Sequence, residues 1–213
     1  YQYPANRSRT QYPWQDNLEL LGIFMKSFGN CTFIRSLQQV LPALLIIMLL
    51  STPAGSAADE AQRTEYRIKT AFLYNFARFV SWPEAALQEH GEFSLCTLGK
   101  TRFEEQLDTL GGKTVHGRTL VVKRLDQPQD ALNCQLVFIG QSDAPGDTLW
   151  MLREFPVLTV SDAAAFTEKG GMIQFKVVDN KIRFRINADA ARTAGLTISS
   201  KLLSLAIHVT GAR

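Results

Sequence analysis

GGMIQFKVVDNKIRFRINADAARTAGLTISSKLLSLA, residues Gly170–Ala206, gives almost every position a structural task. Met172–Val178 and Lys181–Ile186 each alternate apolar with polar side chains, the two-residue period of a half-buried strand. Asp179-Asn180 between them suits a two-residue primed turn, whose central residues need positive φ. Register follows from the turn: Val178 faces Lys181, Val177 faces Ile182, Phe175 faces Phe184 and Ile173 faces Ile186. One face of the ribbon is then apolar. The other carries Lys176, Lys181, Arg183 and Arg185, with Lys176 directly opposite Arg183, a like-charge pair that costs about a few tenths of a kcal/mol or more. Such a face is either a solvated exterior or a contact for an anionic partner.

Beyond the ribbon, Asn187 suits an N-cap, Asp189 sits favourably near the positive end of the helix that follows, and Gly195 is placed to end that helix in the left-handed region. Ser199 or Ser200 would cap a last apolar helix through Leu202, Leu203 and Ile207. The segments FPVLTVSDAAAF from Phe155, GGMIQFKV, KIRFRIN and AGLTISSKLLSLA, with YRIKTAFLYNFARFVSWP from Tyr66, resemble the YfiR-like family of exported bacterial proteins. The resemblance runs from Thr64 to Val209. It implies a regulator whose best-understood relative is a periplasmic repressor of a membrane-bound diguanylate cyclase, and so a non-enzymatic inhibitor that lowers cyclic-di-GMP signalling and biofilm formation.

Composition agrees with a folded chain: 46% hydrophobic and 20% charged residues are ordinary for a globular protein. Residues 1–24 are read as an upstream extension. From Met25 the chain shows the three parts of a secretory signal: Lys26 and Arg35, the apolar run VLPALLIIMLL from Val40, and small residues around Ala54–Ala58. The run holds Pro42 and is shorter than the roughly 20 residues that span a bilayer, so a cleaved signal is expected, with an uncleaved membrane anchor as the alternative. No cysteine follows it, which argues against a lipid anchor. Cleavage after residue 57 leaves residues 58–213 as a single periplasmic domain. It also removes Arg7, Arg9, Lys26 and Arg35 against Asp16 and Glu19, so the formal charge of +3 falls by two. That is no nucleic-acid footprint.

Export also bears on cysteine use. Cys31 leaves with the signal, and Cys96 and Cys134 remain, each in an apolar strand; they can meet if those strands are neighbours, or stay as two buried thiols. The resemblance favours the bridge. The family's best-understood member has a further cysteine pair before the hairpin; this chain has none there, which argues against a redox-sensing role.

Tyr66–Val80 reads as a helix apolar over most of its circumference, with Ile68, Phe72, Phe76 and Phe79 in one stripe and Arg67, Thr70 and Arg78 as the polar edge. It ends at Trp82-Pro83. Either it is buried within its own domain, or part of its Phe-rich face meets a partner or a second copy in a homodimer. Strands at Phe93–Leu98, Leu120–Leu125, Cys134–Ile139 and Val157–Ser161 alternate with helices at Thr101–Leu110 and Thr148–Glu154. Together with the hairpin this predicts an α/β fold: a mixed, mainly parallel sheet of about six strands between helices, ending in an antiparallel ribbon.

Chemistry is sparse. Gly99-Lys100-Thr101 and Gly112-Lys113-Thr114 lack the glycine that a phosphate loop places five positions earlier. Gly99, Lys100 and Thr101 still follow a strand and precede a helix, a position where an anion can sit, and Gly140 and Ser161-Asp162 also lie at strand carboxyl ends. These residues frame the alternative function, a periplasmic small-ligand module serving another membrane sensor or transporter. His90, His116 and His208 do not share a metal-ligand spacing, and no serine sits in a nucleophile elbow, so neither a metal, a cofactor nor catalysis is expected. The partner contacts expected for the repressor reading are Phe72, Phe76 and Phe79 on the helix and Lys176, Arg183 and Arg185 on the ribbon.

Overall fold

A computed structural model describes residues 55–87, 91–140 and 145–211. The described part opens with a long helix, α1 (Gly55–Phe79), followed by β1 (Val80–Ser81), α2 (Glu84–Leu87), β2 (Glu92–Leu98) and α3 (Glu104–Asp108). A short hairpin, β3 (Thr114–Val115) and β4 (Arg118–Leu125), leads through a 3₁₀ turn at Pro128–Asn133 into β5 (Leu136–Ile139), α4 (Pro145–Leu152) and β6 (Leu158–Ser161). The chain ends with β7 (Ile173–Val178), β8 (Lys181–Asn187), α5 (Ala188–Thr193), β9 (Thr197–Ile198), α6 (Ser200–Leu203) and β10 (His208–Thr210). The expected signal at residues 25–57 lies outside the described residues as far as Ala54, and its last three residues begin α1. Among the described residues no helix is long and apolar enough to cross a membrane.

Eight strands form one sheet in the order β10-β8-β7-β6-β5-β2-β4-β3, parallel except for β7/β8 and β3/β4. The mixed, mainly parallel α/β sheet is as expected, but it holds two strands more than the six read from the sequence. Both additions are edges of two or three residues, too short for an alternation to register. β10 also corrects the last helix: α6 is a single turn capped by Ser199, and Ile207 lies beyond it, on the approach to a strand that pairs with β8. The ribbon register is the one the turn dictates, including Lys176 against Arg183, with Asp179 at φ 49° and Asn180 at φ 58°. Asn187 caps α5 by accepting from the Ala190 N–H at 3.0 Å, and Gly195 follows that helix at φ 74°.

Two cores line the sheet. Phe93 and Leu95 of β2, Leu136 and Phe138 of β5, and Leu158 and Val160 of β6 face α1 and α3, with Leu73, Phe76 and Leu107 closing over them. The alternate residues, Cys96, Leu98, Val137 and Ile139, pack with Leu149 and Leu152 of α4 on the opposite face. Thr70, expected on the polar edge of α1, is buried instead, its hydroxyl without a hydrogen-bond partner among the described residues. Cys96 and Cys134 form a disulfide with a Cα–Cα distance of 6.1 Å, possible because β2 and β5 are neighbours.

Candidate functional site

The two expected contact surfaces differ once folded. On α1, Phe76 is 0% exposed and stands 5.0 Å from the Phe184 ring and 5.6 Å from Phe175, so the apolar face of the ribbon is its partner. It offers no surface to another protein, which corrects its place among the contacts. Phe72 is half-buried against the same pair, and Phe79 is half-buried under the Lys201 ammonium, 5.1 Å above its ring. The sheet face and the ribbon together absorb most of the aromatic stripe.

The cationic face of the ribbon is partly covered as well. Residues after β6 fold back over its base: Gln174 is buried and donates to the Ala163 carbonyl at 2.6 Å, and Arg185 donates to Glu168 at 2.8 Å. The Glu168 carboxyl is held below the ordinary carboxylate range, first by its own backbone N–H, then by the Thr167 hydroxyl, with Arg185 and Lys176 adding charge. Arg185 is therefore a tethered group. Lys176, Lys181 and Arg183 remain towards the tip without an ion pair among the described residues, beside Val177, which is 60% exposed.

A third arrangement lies at the carboxyl ends of the parallel strands. β2 has β4 on one side and β5 on the other, and the helices that follow β2 and β5, α3 and α4, pack on opposite faces. Connections that diverge in this way leave a crevice beyond the strand ends, the usual ligand position in open α/β sheets. Here it measures about 1420 Å³ and is walled by Lys100, Thr101, Arg102, Gly140 and Asp162, the first half of α1 and the ribbon tip. The sequence placed Gly99, Lys100, Thr101 and Asp162 at this edge; it missed Lys69.

Lys69 is 4% exposed, with its ammonium 2.7 Å from Glu65 and 2.9 Å from Asp162. Desolvation opposes its charge most strongly, yet the hydrogen bonds and charges of the two carboxylates outweigh that and raise its pKa. A usable signal existed: position 69 lies four residues before Leu73 and seven before Phe76, on the buried stripe, and four after Glu65. A lysine there needs an acidic partner from elsewhere in the fold. Lys69→Ala is expected to cost about 2 kcal/mol in urea unfolding, less than a fully buried pair because both carboxylates keep some solvent, whereas Lys69→Met should stay within about 1 kcal/mol of wild type.

The helix-end anion reading of Gly99-Lys100-Thr101 changes. α3 starts at Glu104, not Thr101, because Phe103 must turn inward onto Phe138 and Tyr66, at 4.9 and 5.5 Å between ring centroids. The Thr101 hydroxyl is occupied by Glu104 at 3.3 Å. The exposed cations of this loop, Lys100 and Arg102, remain. His116 is structural: its Nε2 lies 2.9 Å and 3.0 Å from the Ala77 and Val80 carbonyls at the end of α1. His208 is exposed on β10, and His90 lies outside the described residues. Among the described residues no group of His, Cys, Asp or Glu could hold a metal ion.

The sequence that folds into this helix, sheet and ribbon matches the YfiR/HmsC-like family model over residues 66–207. The chain belongs to the YfiR/HmsC-like family. Among solved structures it is similar to a conserved domain protein from Vibrio cholerae O1 biovar El Tor strain N16961, at 14% identity and a TM-score of 0.43. The match covers 55% of this chain and 54% of that one, so the chain spans about half the length of that relative. The matched residues take in α1 from Tyr66 onward, both cysteines of the bridge and the ribbon.

Proposed function

We propose that the chain is an exported, non-enzymatic regulator. It binds the periplasmic part of an inner-membrane diguanylate cyclase and holds it inactive, lowering cyclic-di-GMP output. The observation that carries this reading is the YfiR/HmsC-like match across residues 66–207. Repression then requires that the regulator bind the inactive cyclase conformation more tightly than the active one, since a ligand shifts an equilibrium only by its differential affinity.

The surface we assign to the contact is narrower than the sequence implied: Lys176 and Arg183 on the open part of the ribbon, with the exposed portions of Phe72 and Phe79. The direct test is a pull-down with the chain from membranes of its source cells. Recovery of a membrane diguanylate cyclase supports the reading; a transporter or sensor kinase in its place would move the function to a ligand-binding module. Lys176→Glu with Arg183→Glu is expected to leave the unfolding transition unchanged, because both side chains reach solvent, and to weaken capture of the cyclase about tenfold or more. Unchanged capture would remove the ribbon from the interface.

A further inference from the structure

The geometry points to the crevice beyond β2, β5 and β6 as a binding site for a small oxyanion, a carboxylate or a phosphate, held between the exposed Lys100 and Arg102 and the buried Lys69. The inference does not depend on which membrane protein the chain serves.

The fold makes this concavity on purpose-independent grounds: α3 and α4 leave neighbouring strands for opposite faces. Gly140 lets the end of β5 come close to the loop after β2. A Cβ there would lie 2.5 Å from the Lys100 carbonyl oxygen, so any other residue would push that loop outwards. The volume of about 1420 Å³, open on one side, is ample for a small molecule.

The charges around it are not equivalent. Glu65 and Asp162 are both engaged by the Lys69 ammonium, at 2.7 and 2.9 Å, which leaves that buried group one of its three N–H donors. Lys100 and Arg102 are exposed and form no ion pair among the described residues, and Glu60 is the one remaining carboxylate of the lining. Among the described residues the lining therefore balances three carboxylates, Glu60, Glu65 and Asp162, against three cations. The groups left to bind a ligand are the two exposed cations and a spare ammonium donor, with Glu60 opposing them and confining an anion to the Lys100–Arg102 side. A guanidinium and an ammonium facing the same space fit an oxyanion, the acceptor that Arg binds bidentately and Lys as a point charge. The stacked Tyr66 and Phe103 rings offer an apolar wall for a short hydrocarbon part.

Calorimetric titration of the full chain with citrate, and separately with inorganic phosphate, at ionic strength matched with sodium chloride, tests the site. Saturable one-to-one binding of either anion is expected. Lys100→Ala with Arg102→Ala should weaken it about tenfold or more, the loss of one charge-assisted contact or its equivalent. Both side chains are exposed, so the unliganded double variant should melt as wild type does. Citrate alone binding identifies a carboxylate site, and phosphate alone a phosphate site. No saturable heat from either anion, or equal affinity in wild type and double variant, overturns the inference.

Discussion

Phe76→Ala is expected to destabilise the domain by about 3–5 kcal/mol, the usual cost of removing a fully enclosed aromatic ring. The ring is 0% exposed and lies within 6 Å of three others, Phe72, Phe175 and Phe184. It is the point at which the first helix and the C-terminal ribbon hold one another, so its loss opens a cavity that neither a helix nor a paired ribbon can easily collapse into. In a domain of this size the midpoint should fall by roughly 10 °C. Phe79→Ala should cost about 1 kcal/mol, because Phe79 is only half-buried and is covered by Lys201. Urea unfolding of the two variants separates a core role from a contact role: if Phe76→Ala costs under about 1 kcal/mol while cyclase capture collapses, Phe76 is a partner anchor and the packing described above is not what the ring is for.

The contrast between these two phenylalanines shows where reading from sequence stops. Periodicity identifies a helix that is apolar nearly all round, and strand alternation with the Asp179-Asn180 turn identifies the ribbon and its register. Neither tells that the two elements bury each other, because that is a matter of which apolar face meets which, set by the sheet of which the ribbon is part. The same applies to Arg185. Its place on the polar side of β8 was legible, yet its ion pair with Glu168 arises from a loop seventeen residues earlier that folds back over the ribbon base. Short edge strands escaped for a simpler reason: Thr114–Val115 and His208–Thr210 contain too few residues to carry a period.

The crevice was legible in outline. Glycine and small polar residues after apolar runs mark strand carboxyl ends, and those ends gather in a mainly parallel sheet. What decides the chemistry was not. Lys69 reaches Asp162 across ninety-three positions of sequence, and only the fold brings a lysine of the first helix to the end of β6. Conversely, the phosphate-like Gly99-Lys100-Thr101 overstated the helix end, since a buried Phe103 delays the start of α3 and the Thr101 hydroxyl turns to Glu104.

Replacing Cys96 and Cys134 together by alanine is expected to remove about 4 kcal/mol of stability, the chain-entropy value for opening a loop of this length. The bridge spans 38 residues of sequence, enclosing α3, the β3–β4 hairpin and the 3₁₀ turn, and it joins β2 to the end of that turn, two residues before β5, the strand paired with β2. Its native geometry therefore asks little of the backbone, and most of its effect falls on the unfolded chain. The midpoint of thermal unfolding should drop by roughly 10–15 °C. Both sulfurs belong to buried residues in the core facing α4, so a thiol reductant should act slowly on the folded protein and fully on the unfolded one. Oxidised and reduced chains melting within about 2 °C of each other would show that the bridge contributes no stability. Hydrogen exchange adds a spatial test: without the bridge, amides of Leu95–Leu98 and Leu136–Ile139 should exchange faster relative to those of the ribbon, because the staple ties β2 to the residues that enter β5, while the ribbon keeps its own aromatic contacts with α1.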